Sequence, residues 1–492
     1  MNLTAWLIGL LVFGPLIGAA LAAVIPRVGA ALSLVCGSAV LIAGLRLAGT
    51  VSEHGPVAVQ LGGWDQPVGI GLRMDGLSAV LVLTCAVIGL LVVVYATGSQ
   101  RTQGNRFFFA LWLALSAGLN AVFVAADLFN TYVALELVTV AAVGAVALGG
   151  RAAAGAALRY LLVAVAGSLW FLLAVALLYA QAGSLSLAQI AERAEGPHVA
   201  VALVIATVGL ALKSALVPMH AWLPPAHAGA PSAVSPLMSA LVIKASLFVL
   251  YRLWTTLPVD AALLAVSQAV GLLGCLAVVW GSVAALRQQR LKRVVAYSTV
   301  AQVGYLVLLI PLVAPALTDD ALPLDRHVAE LAVQGTVAFV VGHALAKTAM
   351  FAAAGCLLYS YGTDELSALR GAAATHRVPV FTFGVAGIAL AGLPPAIAFT
   401  GKWQLLTAAL VAGQWWWLPI LLFGALLTAA YTVRVLAIVL AEPTEQPPRS
   451  GPPAPARMRY SALLAAMAAA SLGVGFSAAT TLSSVGLPVV TP

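Results

Sequence analysis

Four lysines stand where apolar sequence surrounds them on both sides: LALKSALV (Lys213), LVIKASLF (Lys244), HALAKTAMF (Lys347) and AFTGKWQLL (Lys402). The chain has 19 Arg and 5 Lys, so nearly all of its lysine is reserved for such runs, while arginine occupies the connecting segments. Arginine does not deprotonate in a protein, whereas a buried lysine can release its proton. A charged side chain at mid-bilayer costs about 3 kcal/mol on insertion scales and therefore faces a bundle interior or a wet cavity. Costly residues that can titrate point to movement of protons. Snorkelling to an interface is the competing explanation. It suits Lys402 if its span breaks near the surface, but not Lys244, which lies about twelve residues into its window.

Glu136, in LFNTYVALELVTV, is the one acid well inside an apolar run, and it calls for a cation; Lys213 and Lys244 are the candidates. His343 precedes Lys347 by four residues, which puts both on one helix face as a relay element that titrates near neutral pH. His220 and His227 flank an LPP triplet and are expected at a water-accessible inner surface; with Asp127, at a span edge, they are candidate points of proton access. Arg434 reads as structural, held by a backbone carbonyl or a loop acid. Cys36, Cys85, Cys275 and Cys356 show no paired spacing and read as small apolar packing residues. No metal ligand set and no cofactor motif is expected.

These groups need elements to hold them. Of 492 residues, 8% are charged and 62% hydrophobic, against about a quarter and a half in soluble domains. That excludes a soluble globular protein, a disordered chain and a nucleic-acid binder, despite the net charge of +8. An all-α polytopic membrane protein remains. Windows long enough to span fall near 3–25, 29–50, 76–97, 106–125, 128–149, 156–180, 199–217, 232–254, 262–285, 295–313, 330–358, 378–411, 416–440 and 460–482, fourteen in all. The first has no Lys or Arg ahead of it, is long for a signal segment, and is expected to be retained. Fourteen basic residues, Arg101, Arg449, Arg457 and Arg459 among them, fall in the segments that an outside N-terminus places inside, and five fall outside. The bias predicts both termini outside.

Two windows are interrupted by proline: 199–217 runs into Pro218, Pro224 and Pro225, and 378–411 contains Pro394 and Pro395. Proline frees a carbonyl, which is tolerated at membrane depth only in protein or beside water. Interrupted spans at matching positions, each with a lysine nearby, predict two inverted five-helix repeats, 105–255 and 262–440. An N-terminal three-helix segment, 1–100, precedes them and a last helix, 460–482, follows.

The stretch LKSALVPMHAWLPPAHAGAPSAVSPLMSALVIKASLFVLYRLW, with LKRVVAYSTVAQVGY, HALAKTAMF and LAGLPPAIAFTGKW, resembles the proton-conducting antiporter-like subunits. These occur in respiratory complex I, multisubunit Mrp-type Na+/H+ antiporters and membrane-bound hydrogenases. GGWDQPVGIGLRMDGLSAVLVLTCAVIGLLVVVYATG and ADLFNTYVALELVTVAAVGAVALGG are most similar to the D-type branch of the Mrp proteins. The resemblance implies a fourteen-helix fold, a Glu136–Lys213 pair, and a hydrophilic axis through Lys244, His343, Lys347 and Lys402. Lys402 stands where one complex I subunit has Glu, which argues against that subunit. Phe339, one turn before His343, stands where a relative carries a second histidine, so conduction here uses one fewer imidazole or a water. The family's long C-terminal lateral helix is not expected.

The leading expectation is therefore a proton-translocating subunit of a monovalent cation (Na+)/proton antiporter. It would work with other membrane subunits, without nucleic acid, in a prokaryotic plasma membrane. The alternative is the proton-pumping arm of a complex I-like oxidoreductase or a hydrogenase. An integral membrane transferase is disfavoured, because no loop is long enough to carry its catalytic groups.

Overall fold

The computed structural model describes residues 3–64, 69–98, 105–193, 196–442, 463–464 and 466–471. The principal helices are α1 (Leu3–Val24), α2 (Gly29–His54), α3 (Gly76–Thr97), α4 (Phe108–Val124), α5 (Leu128–Ala147), α6 (Arg151–Ala182), α7 (Pro197–Lys213) and α8 (Leu223–Gly229). They continue with α9 (Ile243–Thr256), α10 (Ala261–Arg287), α11 (Leu291–Val307), α12 (Pro323–Tyr361), α13 (Arg377–Ala391), α14 (Ile397–Val411) and α15 (Leu418–Leu440). Helix occupies each of the first thirteen expected windows, and ten described helical segments are long and apolar enough to cross a membrane. The window 460–482 lies largely outside the described residues, as do Arg101, Arg449, Arg457 and Arg459. One element departs from the all-α expectation. Strands β1 (Val57–Leu61) and β2 (Ile70–Met74) form an antiparallel hairpin, with Val57 opposite Met74.

Aspartates begin several of these helices. Asp75, Asp127 and Asp260 cap α3, α5 and α10, each accepting a backbone N–H from the first turn at 2.7–3.1 Å. Close packing is made by small residues, as expected where lipid leaves no hydrophobic drive between helices. A Cβ on Gly167 of α6 would stand 2.7 Å from the Gly209 carbonyl of α7. Likewise a Cβ on Gly401 of α14 would stand 2.6 Å from the Gly335 carbonyl of α12. Both close approaches lie within four residues of a buried lysine, Lys213 and Lys402.

Two spans are interrupted, as their prolines predict. α7 ends at Lys213, the chain runs non-helically through 214–222, and α8 resumes at Leu223. Ala215 sits there at φ 56°, a left-handed conformation that costs an L-residue roughly 1–2 kcal/mol. The second break separates α13 from α14 and is turned by Gly392 at φ 82°. A π-helical turn, Met238–Val242, leads into α9 just before Lys244. Such one-turn bulges free a carbonyl and recur at functional sites.

Candidate ion-translocation site

α5 places Glu136 and α7 places Lys213 at its broken end, so their side chains meet across the bundle. Lys213 Nζ donates to Glu136 Oε1 at 3.1 Å and to Thr139 Oγ1 at 2.8 Å. Ser168 Oγ on α6 donates to the same Glu136 oxygen. Of the two cations the sequence offered, the carboxylate takes Lys213. A hollow of about 10 Å³, room for one water, is lined by Thr139, Tyr160, Lys213, Val242 and Ser246. It lies between Lys213 and Ser246, the latter on the helix that carries Lys244.

Lys244 Nζ donates to the carbonyl of Ser239, within the π turn, at 2.6 Å and lies 2.6 Å from His343 Nδ1. If the lysine is protonated, Nδ1 accepts; if it is neutral, Nδ1–H donates. Either way one proton is shared between an amine and an imidazole. One turn along α12, Lys347 Nζ donates to the Val295 carbonyl at 3.0 Å and to Ser298 Oγ, both on α11. His343 and Lys347 are fully buried and Lys244 is 2% exposed. Among the described residues none of the three has an acidic partner. Like charges this close resist simultaneous protonation, so a proton arriving at one favours departure from another.

Lys402, in the first turns of α14, reaches back to the broken end of α13. Its Nζ donates to the Leu390 and Ala391 carbonyls, each at 3.1 Å. The ammonium also lies 4.3 Å from the ring centre of Tyr305 and 5.4 Å from that of Phe339. It does not snorkel.

The candidate points of access fare unequally. Asp127 caps α5 and lines a cavity of about 690 Å³ with Arg73, Arg252 and Arg326. A second cavity, of about 670 Å³, is lined by Tyr95, Leu148, Lys292 and His376. The two lie at opposite ends of the bundle, since α3 and α5 each begin at the first and end at the second. His220 is half-buried and accepts the Trp280 indole N–H at 3.1 Å, apart from the lysine row. His227 is corrected: it is not at a water-accessible surface but fully buried, stacked on Phe351 with ring centres 4.6 Å apart. Arg434 is structural as expected, donating to the Gln288 carbonyl at 2.8 Å.

Sequence reasoning missed Lys292, which is 2% exposed with its Nζ 2.6 Å from the Ala230 carbonyl. Its place in the basic run RQQRLKR disguised it as a loop charge. It also missed Arg252, which bonds Asp75 at 2.5 Å just outside α3. Burial pushes the Asp75 carboxyl up, but the Arg252 charge and hydrogen bond, the Ser78 N–H and the Arg73 charge together hold it below the usual carboxylate range. Among the described residues no cluster of His, Cys, Asp or Glu could hold a metal ion.

A polytopic helical bundle with two broken spans, an intramembrane ion pair and lysines buried without counter-charges defines an antiporter-like membrane subunit. The chain belongs to the NADH:quinone oxidoreductase/Mrp antiporter transmembrane family, whose profile matches residues 125–428. It is 36% identical over 440 residues to the N subunit of the NADH-quinone oxidoreductase of Desulforudis audaxviator, covering 86% of this chain and 84% of that one. It is 29% identical to the D subunit of the Na(+)/H(+) antiporter of Bacillus subtilis, over 80% and 78% of the two chains. A chain of the Mrp complex from Dietzia sp. has the same fold, with TM-score 0.87 and 24% identity over 99% of this chain and 97% of that one.

Proposed function

We propose that this chain is the proton-translocating subunit of a multisubunit monovalent cation (Na+)/proton antiporter. Protons move along Glu136, Lys213, Lys244, His343, Lys347 and Lys402, with Asp127 and His220 as points of access. The two five-helix units, 105–255 and 262–440, act as inverted repeats around this axis. The assembly sits in a prokaryotic plasma membrane with both termini of this chain outside, alongside other membrane subunits.

The observation that carries the reading is the Glu136–Lys213 pair, 3.1 Å apart at the head of a row of lysines with neutral partners. At an effective dielectric near 20, a charge pair at about 4 Å is worth about 4 kcal/mol. Holding the pair together keeps the proton on Lys213. Separating it removes that energy and favours transfer through the water-sized hollow to Lys244. The amine–imidazole contact then passes charge to Lys347, and the last step reaches Lys402.

A second reading, the proton-pumping arm of a complex I-like oxidoreductase, is supported by the 36% identity to the Desulforudis oxidoreductase chain. Purification of the native complex through a tag on this chain separates the two: co-purifying antiporter subunits favour the first, iron–sulfur or quinone-reactive subunits the second. Lys347→Ala tests the path itself. Lys347 has only neutral partners, so its removal strands no opposite charge. Proton movement is expected to stop in assembled complex, and transport at the parental rate would overturn the path.

A further inference from the structure

Beyond His343, one turn from Lys347 on α12, no second imidazole stands on that helix before the level of Lys402. The route along α12 is closed by Phe339, whose ring centre lies 6.2 Å from that of His343 and 5.6 Å from that of Tyr305. Phe339 is fully buried and held by the close approach of Gly401, whose Cβ would stand 2.6 Å from the Phe339 amide nitrogen. A phenyl ring neither gives nor takes a proton.

A polar seam runs beside it instead. Ser298, the hydroxyl that Lys347 bonds, begins a stripe on α11 that continues four and seven residues on with Gln302 and Tyr305. Ser298, Gln302 and Tyr305 are all fully buried. Opposite them α15 sets Tyr431 and Thr428, also fully buried. Gln302 Nε2 donates to Thr428 Oγ1 at 3.2 Å, but its Oε1 has no partner. The Tyr431 hydroxyl lies beside Ser298, Gln302 and Thr428 yet makes no hydrogen bond of proper geometry. Two unpartnered buried oxygens on facing helices are a costly arrangement unless water joins them. The seam ends at Tyr305, whose ring faces Lys402 and whose hydroxyl donates to the Leu421 carbonyl at 3.3 Å. Gly424 makes room for that hydroxyl, since a Cβ there would lie 2.2 Å from it.

We infer that the proton passes from Lys347 to Lys402 along the α11–α15 seam, through Ser298 and water held by Gln302 Oε1 and the Tyr431 hydroxyl, with Phe339 sealing the α12 side. This rests on the proposed function and assigns Gln302 and Tyr431 as positioning residues of its second half. Gln offers two acceptor lone pairs and tyrosine both donates and accepts, so a water between them can relay in either direction.

The test uses the native complex in inverted membrane vesicles, with proton movement read by a pH dye after a Na+ pulse. Gln302→Leu and Tyr431→Phe are each expected to slow transport about tenfold, the worth of one lost buried polar group, with complex yield unchanged. Phe339→His introduced into Gln302→Leu is expected to restore much of the rate by opening the α12 route. Parental rates in Gln302→Leu and Tyr431→Phe, with Lys347→Ala inactive, would overturn the seam and leave the proposed function standing. Slow Gln302→Leu that Phe339→His fails to rescue, with Gln302→Glu equally slow, would assign Gln302 to packing and also overturn it. Parental transport in Lys347→Ala would instead remove the function on which the inference rests.

Discussion

The two broken spans use one backbone device for two electrostatic ends. In the first, the helix stops at Lys213 and the ammonium meets a carboxylate, Glu136, at 3.1 Å. In the second, Lys402 lies beyond the break and meets two carbonyls and two aromatic rings, with no carboxylate. Each lysine stands beside a glycine–glycine close approach that locks its helix against a long neighbour, α6 or α12. The backbone therefore supplies position in both halves, and the side chains decide what the position does. A lysine facing a carboxylate is a switch, because moving the carboxylate changes how tightly it holds its proton. A lysine facing carbonyls and π faces has no such partner to move, so on the proposed path its occupancy would follow what the rest of the row delivers.

Substituting the two lysines by methionine tells the two ends apart. Both changes are expected to cut proton transport at least about a hundredfold, as for loss of a proton-transfer group. Their effects on stability should part. Lys213→Met strands the Glu136 carboxylate and should destabilise by about 2 kcal/mol, below the range for a fully buried pair because the Glu136 side chain is 29% exposed. Lys402→Met replaces an ammonium with a thioether against Tyr305 and Phe339, a favourable contact, and should leave stability unchanged within about 1 kcal/mol. Thermal unfolding of purified complex reads the difference, and equal losses would erase the distinction.

The Asp75–Arg252 pair extends the rule to a carboxylate outside the spans. The bound Asp75 carboxyl sits below its unfolded value, so its stabilisation is fully present above the ordinary aspartate range and is lost as pH falls through the folded value. Asp75→Asn should cost about 2 kcal/mol at neutral pH and flatten the acid limb of the stability profile; an unchanged acid limb would count against the pair. Gly392→Ala comes next. Its φ of 82° and a Cβ 2.8 Å from Lys402 Cδ predict a loss of about 1–2 kcal/mol, read by unfolding, with slower transport because Lys402 is displaced. Ser168→Ala should have the smallest effect, about 1 kcal/mol at the pair and a rate reduction of a few fold in the vesicle assay.

Much of this was legible in the sequence. Hydropathy windows located helix through the first thirteen expected spans, because lipid forces each to be apolar along its whole length. The prolines located both breaks, and the four apolar-run lysines were found where a charge has no cheap explanation. Helix spacing paired His343 with Lys347 but could not choose between Lys213 and Lys244 for Glu136, since that choice depends on how three helices rotate against one another. Lys292 was hidden by basic neighbours, and His227 by a proline-rich stretch that reads as surface. The Tyr305–Phe339 surroundings of Lys402 come from helices 60 or more residues away, and residues so distant leave no local pattern. The β-hairpin was missed because five-residue strands beside long apolar windows carry little signal of their own.

On the proposed path the charge on Glu136 governs proton movement through the row. Glu136→Gln keeps the size of the side chain and an oxygen for the Ser168 hydroxyl while removing the charge. Na+-pulse proton transport by the native complex carrying that single change should fall at least about a hundredfold with assembly intact. Transport at the parental rate would contradict the account.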